Sequence, residues 1–191
     1  LFGPAPPVST GVALIETLQI LGNYAPRPGA RHTIDADYLH HVIEAWKVRD
    51  PIRRIADPAH WPVDYADHLT AAHAATRFKR IDPGAASRYA DEPEDEDRPA
   101  VQSERIGRGT TAFVVADADG NMIAVTQTLS TWGGNFYVSK GLGFLYNNHL
   151  RSIRTTAGAY GQLVPLMRSS TASAPTLVFR ETEAGRVPRM A

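Results

Sequence analysis

Of all the groups in this chain of 191 residues, a threonine pair carries the most chemistry. Gly109-Thr110-Thr111 follows a run of six acids and one proline, Asp91 to Asp97 (DEPEDED), which is expected to be an exposed loop. A threonine hydroxyl is a weak nucleophile unless a base sits beside it. One solution makes the threonine the first residue of a chain, so that its own α-amine is the base. That amine has a reference pKa of about 7.7–8.0, close to working pH. A glycine just before it leaves room to strain and break the Gly109–Thr110 bond. By spacing alone, Thr-Thr is first of all a strand pair, because both residues are β-branched.

Seven histidines raise the question of a metal. His40 and His41 are adjacent and point to different sides of a helix. His68 and His73 are five apart and miss the i, i+4 spacing of a helical metal pair. No metal site is therefore expected. Gly133-Gly134 and Gly141-Leu142-Gly143 match no full phosphate-binding pattern and read as turns between strands. With no cysteine, disulfides, thiolate metal sites and a cysteine nucleophile are excluded.

The elements that must position these groups fall into two halves. Twenty basic and twenty acidic residues cancel, so no global field invites nucleic acid. A hydrophobic fraction of 43% with 21% charged residues is that of a globular protein. No apolar run approaches the roughly 20 residues of a membrane span, and no signal peptide stands in this segment. The start at Leu1 and the stop at Arg189-Met190-Ala191 read as the ends of an internal piece of a longer protein.

Three helices are expected in the first half. The first covers Ser9 to Leu21, with Ser9 or Thr10 as N-cap, Leu14, Leu18 and Leu21 on its apolar stripe, and Gly22-Asn23 as its stop. The second covers Ile34 to Arg49, capped by Asp35 or Asp37, with Leu39, Val42, Ile43 and Trp46 as its apolar face. The third covers Asp64 to Phe78, with Leu69, Ala72 and Ala75 inward, before a turn at Asp82-Pro83-Gly84. The short basic pairs Arg53-Arg54 and Lys79-Arg80 are expected to be solvated. In the second half, Thr111 to Ala116 and Met122 to Leu129 are β-rich runs around Asp119-Gly120, a strong hairpin signal. The first run is so continuously apolar that both its faces are expected to be covered. Further strands are expected at Phe136 to Val138 and Thr176 to Arg180, giving a layered α+β architecture.

Thr110 to Leu150 (TTAFVVADADGNMIAVTQTLSTWGGNFYVSKGLGFLYNNHL) resembles the start of the small subunit of gamma-glutamyltranspeptidases. There a Thr-Thr-His opening leads through Asp-x-x-Gly-Asn and Thr-x-Thr-Leu to a later Leu-Leu-Asn-Asn. Pro6 to Gly11 (PPVSTG) resembles that family's Pro-Pro-Ser-Ser-Gly-Gly, and His41 to Pro58 resembles its Glu-Ala-x-Lys to Asp-Pro segment. The resemblance covers nearly the whole chain in the right order. It implies an incomplete four-layer αββα N-terminal-nucleophile hydrolase fold. Residues 1–109 would end the large-subunit region and 110–191 would open the small-subunit region.

The resemblance also implies an activity. An inactive precursor cuts itself at Gly109–Thr110 into a heterodimer of large and small subunits. Thr110 becomes the nucleophile, hydrogen-bonded by Thr128. A gamma-glutamyl group passes from an amide donor to water or an amino acceptor, without a cofactor, in a periplasmic or extracellular compartment. Ala112 replaces the usual His after the Thr pair. Ser130, His149 and Ser152 stand where Asn, Gln or Glu, and an amine-gripping Asp are usual. The Ser-Ser pair that holds the donor carboxylate falls either on Thr171 and Ala172 or, with a two-residue insertion, on Ser169 and Ser170. The carboxylate-binding Arg is expected upstream of Leu1, and the Gly-Gly oxyanion loop after Ala191.

From Asn121 to Arg180 there is no Asp or Glu, while Lys140, Arg151, Arg154, Arg168 and Arg180 give five positive charges. A pocket built from this stretch would suit an anionic donor without an α-amine, because an unpaired buried ammonium is costly. Cations confined to the surface would leave that preference open. Two alternatives remain beside the transpeptidase reading: an acylase of the same fold acting on other amides, and a homologue that folds without processing itself.

Overall fold

The computed structural model describes residues 1–6, 8–28, 35–50, 62, 64–89, 108–159, 161–168 and 171–190. The acidic run 91–97 and the 53–54 pair lie outside them. Helix α1 spans Ser9–Leu21, the expected bounds, but its N-cap position falls on Val8 and carries no side-chain cap. Thr10 is drawn away: its hydroxyl donates to the Ser173 carbonyl at 2.7 Å. The buried face of α1 is Val12, Ala13, Glu16, Thr17 and Ile20, and Leu18 of the expected stripe is 44% exposed.

Helix α2 spans Ala36–Val48. Asp35 caps it, its Oδ1 accepting from the amides of Asp37 at 3.0 Å and Tyr38 at 3.2 Å. Its buried face is His41, Glu44, Ala45 and Val48. Ile43 and Trp46, expected inward, face solvent. Burial of the polar members is tolerated because they are satisfied. Glu44 accepts from Lys47 and, at 2.8 Å, from the Tyr89 hydroxyl. His41 Nδ1 lies 2.8 Å from the Asp37 carbonyl.

The third expected helix is two pieces. A 3-10 turn over Ala66–Leu69 stops at Thr70, and α3 spans Ala71–Phe78. Thr70 Oγ1 accepts from the His73 amide at 3.2 Å, an N-cap that restarts the chain in a new direction. Ala74, rather than Ala72, is the buried alanine. Ile20, Ala45, Val48, Ala74 and Ile81 form the core where the helices meet, backed by Leu21, Phe78 and Tyr89.

Strands β1 (Arg108–Ala116) and β2 (Met122–Thr131) form the expected antiparallel hairpin. The Asp117 carboxylate holds its turn, accepting from the amides of Asp119 at 3.0 Å and Asn121 at 2.9 Å and from Asn121 Nδ2 at 2.7 Å. The expected covering of both faces is not found among the described residues: Phe113 is 47% and Val114 57% exposed, on opposite sides of the strand. Strands β3 (Val178–Thr182) and β4 (Gly185–Met190) make a second antiparallel pair. The expected strand at 136–138 reduces to a single bridge between Val138 and Leu145. The described residues thus form an α+β structure of three α-helices and two two-stranded sheets.

The start of the chain is sewn to its last third. Phe2 and Leu177 exchange two backbone hydrogen bonds of 2.8 and 2.9 Å, and the Phe2 ring meets Phe179 edge-on at 5.5 Å. This seam brings Pro4, Val8 and the first turn of α1 against the β half.

Candidate active site

The hairpin register does the positioning. Counting away from the turn, Ala116 pairs with Met122, and six residues further out Thr110 pairs with Thr128. The Thr110 hydroxyl donates to Thr128 Oγ1 at 2.9 Å. Thr128 Oγ1 also accepts from the Ser130 amide at 2.9 Å. Both acceptor positions of the Thr128 hydroxyl are therefore filled, and its geometry is fixed from two directions. Ser130 holds its amide there at φ 74°, a left-handed conformation that a serine enters at a cost of about 1–3 kcal/mol. Such strain in a non-glycine residue is characteristic of functional sites.

Just before Thr110 the ladder slips: Arg108 pairs with Thr131 across an irregularity. Gly109 sits in it so close to β2 that a Cβ there would lie 2.7 Å from the Thr131 carbonyl oxygen. Glycine is the residue that fits at this bond.

A cavity of about 400 Å³ opens beside the pair, lined on the β side by Thr126, Thr128 and His149. Thr171, Ser173 and Pro175 line its far wall, and Pro4 and Val8 its rim. Thr126 and Thr128 share one face of β2, as residues two apart must. His149 opens a 3-10 turn, His149–Ser152. That turn is fastened to the end of β2 by Asn148, whose amide donates to the Leu129 carbonyl at 3.2 Å and whose Nδ2 donates to Thr131 Oγ1 at 2.6 Å. Thr171 and Ser173 hold their hydroxyls 3.1 Å apart. Among the described residues, no carboxylate and none of Lys140, Arg151, Arg154, Arg168 and Arg180 lines the cavity.

Of the residues singled out in the sequence, Thr128, His149 and Thr171 line this cavity, with Thr110 hydrogen-bonded at its edge and Gly109 next to it. Ser130 contributes its backbone amide and is not a lining residue. Ser169, Ser170 and the side chain of Ser152 lie outside what the structure describes. Thr126, Ser173 and Pro175 were not anticipated. The turn-centred count that pairs Thr110 with Thr128 also places Thr126 beside them, whereas Ser173 is held at the site by contacts with Thr10 and Thr171.

Chemically the site offers a hydroxyl whose proton is directed at a second hydroxyl, next to a cavity whose polar lining is hydroxyl and imidazole groups. In the uncut chain the Thr110 nitrogen is a peptide amide and cannot act as a base.

The chain matches the Gamma-glutamyltranspeptidase family over residues 1–189. It is 30% identical over 183 residues to the "Acylase ACY 1 proenzyme" of Pseudomonas sp. (strain V22), covering 95% of this chain and 31% of that protein. The "Glutathione hydrolase proenzyme" of Escherichia coli (strain K12) is 27% identical over 191 residues, covering 95% of this chain and 32% of that protein. The "Capsule biosynthesis protein CapD proenzyme" of Bacillus anthracis is 26% identical over 183 residues, 94% of this chain and 30% of that protein. The chain thus spans about a third of the length of these curated relatives. No helix among the described residues is long and apolar enough to cross a membrane. A match over nearly every residue shows that the chain belongs to the gamma-glutamyltranspeptidase family.

Proposed function

We propose that the protein carrying this chain is a threonine hydrolase and acyltransferase, made as a precursor and activated by cutting itself between Gly109 and Thr110. The 2.9 Å hydrogen bond from the Thr110 hydroxyl to Thr128 carries this reading. It directs the proton away from the oxygen and leaves the lone pairs of Thr110 free to attack. In processing, that oxygen adds to the Gly109 carbonyl carbon, the C–N bond breaks, the hydroxyl proton ends on the departing nitrogen, and the acyl group has moved from nitrogen to oxygen. Water then hydrolyses the ester and leaves Thr110 with a free α-amine. Residues 1–109 and 110–191 become parts of the large and small subunits, within a four-layer αββα fold.

The new amine takes the proton of the Thr110 hydroxyl as it attacks the amide carbonyl of a donor. The proton passes to the leaving amine, and water or an amino acceptor releases the acyl group from Thr110. No cofactor is needed for any step. The cavity beside Thr128 receives the acyl chain, with Thr171, Ser173 and His149 as its polar contacts.

Gamma-glutamyl amides are the first donors to try, after the relatives named glutathione hydrolase. A second reading, an acylase for amides without an α-amine, is favoured by one observation: among the described residues no carboxylate lines the cavity to neutralise an ammonium group. The deciding experiment is intact mass spectrometry of the full-length protein made without added protease. The wild type should give two chains cut before Thr110, and Thr110→Ala a single intact chain. A folded wild type that stays uncut would support a non-catalytic homologue instead.

A further inference from the structure

A second cluster of chemically active groups lies in the helical half. Asp50, just beyond the end of α2, His68 in the 3-10 turn and His73 in α3 each present one ligand atom, and these atoms all lie within 4.8 Å of one another. His68 Nδ1 is 2.6 Å, and His73 Nε2 3.2 Å, from the same oxygen, Asp50 Oδ2. His73 Nε2 is also 3.2 Å from Glu16 Oε1 on α1. Glu16 is fully buried, and its Oε2 has no hydrogen-bond partner among the described residues.

We propose that Asp50 Oδ2, His68 Nδ1 and His73 Nε2 bind a divalent transition-metal ion of the zinc type, with the Glu16 carboxylate as the fourth ligand. Two imidazoles and two carboxylates are a borderline donor set that suits such an ion. Metal–ligand distances of about 2.0–2.2 Å place the atoms of a tetrahedral site roughly 3.3–3.6 Å apart. The spacings of 2.6 and 3.2 Å from Asp50 Oδ2 open by up to about 1 Å to reach that, and Glu16, outside the three-residue cluster, moves in to complete the shell.

The metal-free arrangement leaves a conflict that an ion removes. A neutral His73 ring has at most one proton on Nε2, yet that atom faces two carboxylates at 3.2 Å each. The surroundings are arranged as a supporting shell. Arg77 pairs with Asp50 Oδ1, the oxygen not used for the ion, and the Arg49 guanidinium donates to the Asp50 carbonyl at 3.1 Å. Asp50 is 4% exposed, and its amide donates to Glu16 Oε1 at 2.9 Å. With four protein ligands the ion would be a structural clamp tying α1 and the end of α2 to α3, independent of the threonine site.

The test uses the untagged full-length protein, stripped with chelator and titrated with Zn²⁺ and with Co²⁺ as a spectroscopic substitute. One ion per chain is expected, with tetrahedral Co²⁺ absorption bands. His68→Ala and His73→Ala should each weaken binding by at least the roughly 10–100-fold that loss of a mere supporting partner causes. His40→Ala, outside the cluster, should leave it unchanged. No bound ion in the wild type, or binding that survives both ligand substitutions, would overturn the assignment. Should those variants fail to fold, X-ray absorption of the zinc-loaded wild type decides: two imidazoles with oxygen ligands support the site, and any other shell refutes it.

Discussion

Thr128→Val is the sharpest probe of the threonine pair. Valine keeps the β-branched shape and the strand preference while removing the hydroxyl. Two hydrogen bonds disappear: the 2.9 Å bond from Thr110 and the 2.9 Å bond from the Ser130 amide. Each neutral hydrogen bond is worth about 0.5–1.5 kcal/mol net. If both are intact in the transition state of processing, their loss raises the barrier by about 1–3 kcal/mol. At 1.36 kcal/mol per tenfold, self-cleavage should slow about 5- to 150-fold. The Ser130 amide is also left without its acceptor while Ser130 remains strained at φ 74°, which places the expected loss toward the upper end. The assay is a time course of intact mass after refolding or rapid purification of the precursor. Thr128→Ser, which restores the hydroxyl, should recover most of the rate. Processing of Thr128→Val at the wild-type rate would refute the idea that this hydroxyl orients the nucleophile.

Three further outcomes are expected. Ile20→Ala, in the buried core, should cost about 2–5 kcal/mol in chemical denaturation, while Leu18→Ala on the same helix should cost no more than about 1 kcal/mol because Leu18 is half exposed. The Tyr24 phenol, donating to Asp37 Oδ2 at 2.7 Å, is pushed up to about 12 by that hydrogen bond. Its contribution to stability is therefore present below the unfolded value near 10 and lost as pH rises through about 12; NMR titration of the ring should show the shift, and Asp37→Ala should bring it back down. Ser152→Asp should move kcat/KM toward gamma-glutamyl over glutaryl anilides by about ten- to hundredfold, the worth of one charge-assisted hydrogen bond. An unchanged ratio would mean that another residue receives the amine.

What could be read from the sequence follows how local its cause is. The bounds of α1, the Asp35 cap and the hairpin all came through, because caps and turns act within a few residues. The helix faces did not. Leu18, Leu39, Ile43 and Trp46 of the expected faces are exposed, while the buried faces carry Glu16, His41 and Glu44, and some of the partners of these polar residues are remote in sequence. Tyr89 satisfies Glu44 from 45 residues away and His73 meets Glu16 from 57, separations that no periodicity encodes. The expected third helix runs through Thr70, although a threonine three residues before the amide it caps is a local break signal. That break also explains why spacing dismissed His68 and His73: across it their rings come within 5.5 Å. In the threonine site, the pair itself follows from the hairpin register, while Thr171 and Ser173 arrive from a distant segment.

The seam between the first and last thirds of the chain has a kinetic consequence. The Thr10–Ser173 bond spans 163 residues, and the Phe2–Leu177 ladder closes a loop of similar size. While the chain is whole, forming that seam is an intramolecular search whose entropic cost grows only slowly with loop length. A cut before Thr110 severs that tether. The seam must then be remade between separate molecules, at a rate set by their concentration. The uncut precursor should therefore refold from denaturant as a single chain, whereas the processed form should unfold almost irreversibly once its pieces part. A protein that folds first and is cut afterwards would be held in its mature form by the height of its unfolding barrier, not by its equilibrium with the unfolded chains.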